Sequence, residues 1–303
     1  MNLGSLINLQ GMLFLLAASG VVLRKTGVLP ESAKGVLTDL VIGFILPCNI
    51  INSFRIPFNL DILKSFAIIL LIATLIQAGC LICANTFYNK EPDGRKKVLQ
   101  YGTVCSNAGF MGNPIAEGVY GAEGLMYASV FLVPQRIVMW SAGVSYFTES
   151  PDKKEVVKKV ITHPCIVAVY IGLFLMITQL PLPAFLGDTI KTVGNCTTTV
   201  SMVLIGTILA EVDPKSMVDK MIIKYTIIRL VFIPAVVFLF CRLFAVPSLL
   251  AGVSVLLTEM PAGSTTAILA AKYDGDYIFA TKCVVVSTLC SLISVPLWCM
   301  ILG

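Results

Sequence analysis

A chain of 303 residues that is 57% hydrophobic, 13% charged and of mean hydropathy +0.89 departs from soluble domains, which are roughly 45 to 50% apolar and about a quarter charged. Its formal charge of +5 is spread over short loops and forms no nucleic-acid patch. With one histidine, no H-E-x-x-H, no G-x-S-x-G and no P-loop, the sequence offers an enzyme too little chemistry and implies no cofactor. The remaining class is an all-α, multi-pass membrane protein whose solvent is a lipid bilayer.

Apolar runs near the length that crosses a roughly 30 Å hydrocarbon core predict ten transmembrane helices. They fall at 4–23, 34–54, 63–87, 98–120, 125–147, 160–179, 188–211, 222–244, 249–271 and 277–301. No Lys or Arg precedes Arg24, so the first run is expected to stay as a helix and not to act as a cleavable signal. No soluble domain is expected at either end. Most cysteines, Cys80 and Cys83 among them, lie inside apolar runs and read as small hydrophobes.

Loop charge predicts orientation. Loops after odd-numbered spans carry 16 Lys and Arg residues, from Arg24 through Lys282, whereas the other side carries only Arg55, Lys64, Lys191 and Arg242. The positive-inside rule then places the rich loops in the cytoplasm and both termini outside, N-out and C-out, in the cytoplasmic membrane.

The fourth span contains S-N-A-G-F-M-G-N-P (Ser106–Pro114), and the ninth contains T-E-M-P-A-G-S-T-T (Thr258–Thr266). Pro114 and Pro261 are 147 residues apart, close to half the chain. The reading is therefore a first five-helix repeat over 1–150 and a second, inverted one over 151–303, with the fourth helix of each broken. Backbone freed by proline and glycine is tolerated at membrane depth only where protein covers it or a wet cavity lines it, so two matched breaks imply a site between them.

Several side chains could build that site. Asn107 and Asn113 suit a carboxylate or cation coordination, or else ordinary helix–helix bonding. Ser264, Thr265 and Thr266 could complete a substrate or ion site, or bond back to their own helix. Glu259 is an intramembrane carboxylate that needs a proton, a cation such as Na+ or an arginine; Arg136 could neutralise it or receive an anionic substrate. Asn49 and the Thr197–Ser201 stretch fall at matching places and could line the cavity. Arg229 is expected to snorkel to the interface, and Glu117, Glu211 and Asp213 are weighted toward interfacial roles.

The segments Ser106–Ile115, Met260–Gly275 and Ser287–Leu297 together resemble the auxin efflux carrier family, in its short bacterial form that includes malonate and other organic-acid permeases. The resemblance covers essentially the whole chain. It implies inverted repeats with helices four and nine crossing at their prolines, scaffold and transport parts that each draw helices from both repeats, and elevator-like alternating access. It matches Asn107, Gly109, Gly112, Asn113, Pro114 and Pro261 as motif positions. The resulting expectation is a secondary carrier of small organic anions, mono- or dicarboxylates, coupled to Na+ or H+ through Glu259. An uncoupled facilitator or a non-translocating receptor stay as alternatives, and monomer or homodimer is left open.

Overall fold

The computed structural model describes residues 3–147, 153–210, 219–273 and 275–302; Glu211, Asp213 and Asp274 lie outside them. The chain is helical, and the one β-type pairing among the described residues is a single bridge. The helices are α1 (Leu3–Lys25), α2 (Ala33–Leu40), α3 (Leu46–Ser53), α4 (Leu60–Phe87), α5 (Asp93–Val104), α6 (Asn113–Val138), α7 (Lys153–Ile161) and α8 (Pro164–Thr178). They continue as α9 (Ala184–Gly194), α10 (Cys196–Leu209), α11 (Lys220–Ile227), α12 (Ile233–Leu243), α13 (Ser248–Glu259), α14 (Thr265–Lys272) and α15 (Tyr277–Leu302).

Among the described residues, five continuous stretches are long and apolar enough to cross a membrane: Ala33–Ser53, Leu60–Phe87, Ala184–Leu209, Lys220–Leu243 and Tyr277–Leu302. The pair α7 and α8, bent by 56°, makes a sixth when taken as one broken span. The fourth and ninth expected spans are each cut by a break. Between the fourth and fifth, the helical run turns at Gly121, whose φ of 68° and ψ of −160° only glycine adopts readily.

Prolines explain three of the irregular turns among the described residues. A π-helical turn ends two residues before Pro47 (Val41–Ile45), before Pro114 (Ala108–Gly112) and before Pro234 (Ile228–Phe232). A proline ring cannot bond or closely approach the carbonyl four residues back, so the preceding turn loosens. For Pro234 that carbonyl is Leu230 O, and the Trp298 indole donates to it at 2.9 Å. The proline thus creates an acceptor and α15 supplies its donor.

Packing follows from small residues and apolar faces. α1 and α10 cross with their backbones touching, since a Cβ on Gly206 would sit 2.0 Å from Ala17 O and one on Gly20 2.2 Å from Val203 O. Outward faces carry large apolar side chains; Leu243, Phe185 and Ile293 are each at least two-thirds exposed. So much apolar surface suits lipid, not water. At one end, Arg95 joins three loops: it pairs with Asp219 at 3.1 Å and Asp276 at 3.5 Å and lies over the Phe279 ring. Those loops are three of the basic ones that charge counting assigned to one side. All ten cysteines are free.

Candidate functional site: two paired helix breaks

The two breaks meet. α5 ends at Val104, and Cys105 is extended at φ −120°, ψ 92°. α13 ends at Glu259 because Met260 precedes a proline and takes φ −57°, ψ 143°. Ser106 and Ala262 form an antiparallel bridge: Asn107 N–H donates to Pro261 O at 2.8 Å and Gly263 N–H donates to Cys105 O at 3.1 Å. Each break therefore satisfies part of the other's freed backbone.

The position of the crossing differs from the expectation of a crossing at both prolines. Pro261 is in the paired strand, but Pro114 opens α6 eight residues beyond Ser106. The first arm breaks at Ser106 and Asn107 without a proline: Asn107 N–H donates to Pro261 O across the crossing, and Ser106 Oγ donates to Gln135 Oε1. Pro114 accounts only for the π turn between crossing and α6.

Side chains close the remaining accounts. Gln135 donates its amide to Ser106 O at 2.9 Å and accepts from Ser106 Oγ at 3.2 Å. Ala262 N–H donates to Ser287 Oγ at 3.1 Å. Arg229 does not snorkel. It is 3% exposed and donates Nε–H to Met260 O at 2.9 Å and Nη1–H to Thr103 O at 3.3 Å. One guanidinium thus caps the carbonyl ends of both broken helices, where the helix dipoles favour a cation.

Beside the crossing is a cavity of about 190 Å³. Its lining mixes polar residues, Ser106, Asn107, Gln135, Arg136, His163, Ser264 and Thr265, with Gly109 and apolar ones that include Leu46, Phe110, Leu132 and Trp140. Tyr101 OH donates to Thr265 Oγ1 at 3.2 Å, fixing that hydroxyl. A Cβ on Gly109 would lie 3.2 Å from Arg136 Nη2, so glycine there leaves the guanidinium room. Arg136 makes no ion pair with Glu259. Its Nη1 stands 2.9 Å from His163 Nε2, and no carboxylate is within ion-pair distance of it among the described residues.

Five of the residues singled out from sequence therefore share this cavity: Asn107, Gly109, Arg136, Ser264 and Thr265. Gly112, Asn113, Pro114, Pro261, Thr266, Asn49 and Glu259 are not part of its lining. Glu259 is fully buried; Ser294 Oγ donates to its Oε1, while Oε2 has no partner. Asn113 is fully buried with both amide atoms unpartnered, at a cost of roughly 1–3 kcal/mol for each such group. Gly112, beside it in sequence, packs on Met260: a Cβ there would lie 3.0 Å from Met260 Cγ, next in sequence to Glu259. Thr266 Oγ1 is likewise buried without a partner. Asn49 donates to Glu117 Oε2 at 2.9 Å, so Glu117 is held by α3. His163 was missed as a site residue; a lone histidine before a proline carries no sequence signal of its own.

Such an arrangement, broken helices paired inside an apolar helical protein beside a small cavity with a cationic wall, defines a membrane transport protein, and comparison with known proteins agrees. The chain belongs to the family described as membrane transport proteins, whose family model matches residues 11–299; this is the auxin efflux carrier family of the resemblance. It is 24% identical over 289 residues to an uncharacterized transporter of Methanothermobacter thermautotrophicus, covering 93% of this chain and 94% of that one. It is 23% identical over 285 residues to an uncharacterized transporter of Methanocaldococcus jannaschii, covering 90% and 91%.

Proposed function

We propose that this protein is a secondary transporter of small organic anions, mono- or dicarboxylates, across the cytoplasmic membrane. The observation that carries the reading is Arg136: a guanidinium on the wall of a cavity that also holds the crossing, without a carboxylate of its own among the described residues. A planar fork of donors suits a carboxylate. The donors of the first turn after each break, near Gly109 and Thr265, would favour the anion further.

In this reading the chain spans the membrane ten times, N-out and C-out, as two inverted five-helix repeats, and the crossing moves in an elevator-like step. Glu259 is the coupling group. A fully buried carboxylate with one oxygen free of partners is suited to carry a proton or to share a sodium ion, and Asn113 Oδ1 is a second buried oxygen without a partner.

Uptake of labelled malonate and propionate into proteoliposomes under imposed sodium, proton or electrical gradients tests this. Accumulation driven by one ion gradient is expected. A response to voltage alone would support an uncoupled facilitator, and binding without flux would support a receptor.

A further inference from the structure

His163 is the chain's single histidine, and it stands at the junction of α7 and α8 as the N-cap of α8. Its Nδ1 is 3.2 Å from Cys165 N and its Nε2 is 2.9 Å from Arg136 Nη1. Both neighbours are donors only. A neutral imidazole has one nitrogen that accepts and one that donates, and a protonated ring has two donors. The ring therefore cannot accept from both neighbours in any protonation state.

The cap decides which contact is the hydrogen bond. Cys165 N–H belongs to the first turn of α8, where donors lack intrahelical acceptors, so Nδ1 is its acceptor. The ring proton is then on Nε2, and Nε2–H and the Arg136 guanidinium present two donors 2.9 Å apart on one wall of the cavity. One acceptor placed against both relieves that conflict. A carboxylate does so with two oxygens.

We propose that His163 is a substrate-binding residue: its Nε2–H and the Arg136 guanidinium donate together to one carboxylate of the transported anion. This rests on the reading of the cavity as an anion site and assigns the pole at which the anion is held. The apolar lining residues Phe110, Leu46 and Leu132 then receive the hydrocarbon part.

The test uses the purified full-length protein and its thermal stabilisation by malonate and propionate, with malonamide and propionamide as neutral isosteres. H163N keeps a capping oxygen but is too short to reach Arg136, whereas H163Q can place an N–H near the Nε2 position. We expect stabilisation of the wild type by the acids only, affinity about tenfold weaker in H163N and within about threefold of wild type in H163Q. Carboxylate affinity unchanged in H163N but lost in R136Q would overturn the role of His163 and leave the anion reading standing. Failure of both acids to stabilise the wild type would overturn the two together. A second measurement needs no variant: carbethoxylation of the single histidine by diethyl pyrocarbonate, followed by mass spectrometry. Malonate should protect it and malonamide should not; equal labelling in both would contradict the assignment.

Discussion

Two arginines lie within the apolar body, and they are held in opposite ways. Arg229 is held by backbone: Met260 O and Thr103 O, one from the end of each broken helix, take two of its donors in a buried setting. Among the described residues, Arg136 is set only against the imidazole of His163, in the lining of a cavity. A buried cation whose hydrogen bonds are made by the fold serves the fold, and one left to face a cavity is available to a ligand. The same residue type therefore divides into a clamp and a receiver, and substitutions should separate them.

The largest effect is expected at the clamp. R229A leaves the Met260 and Thr103 carbonyls without their donor and should cost about 2–4 kcal/mol, read as a lower melting temperature and reduced monodisperse yield; R229K should recover part of it. A stable R229A variant would remove the distinction. At the receiver, R136Q should melt like wild type but lose carboxylate uptake, with any remaining binding at least about tenfold weaker.

E259Q replaces a buried carboxylate by a neutral amide of the same shape. Insertion and folding should persist, while accumulation against a gradient falls to simple equilibration; continued ion-driven accumulation would take Glu259 out of the coupling role. G109A places a methyl 3.2 Å from Arg136 Nη2, so a KM several-fold higher with an unchanged maximal rate is expected from uptake kinetics. R95A should matter least: its partners are about a third exposed, and such pairs contribute no more than about 1 kcal/mol. A large loss of thermal stability there would mean that the three joined loops carry more than their exposure implies.

The sequence made some of this legible and hid the rest for physical reasons. Pro261 with Gly263, and Pro114 with Gly109 and Gly112, announce weakened helix, since these residues act on their own backbone. Where the first arm leaves the helix is harder to see, because Cys105 is extended and Ser106 pairs with Ala262, about 155 positions away. Arg229 was misread because its place along the span suggests reach to the interface, whereas its direction is set by carbonyls freed in two other helices. His163 was invisible as a site residue, since a lone histidine gains meaning only from Arg136, and that neighbour is fixed by the packing of α6 against α7 and α8.

The central claim, an anion carrier that holds its substrate at Arg136 beside the crossing, is tested most directly by initial uptake of labelled malonate, propionate and propionamide into proteoliposomes carrying equal amounts of wild type or R136Q. Gradient-driven uptake of an acid but not the amide by the wild type, and its loss in a normally folded R136Q, is the expected result. Equal transport of acid and amide, or undiminished acid uptake by R136Q, would contradict the account.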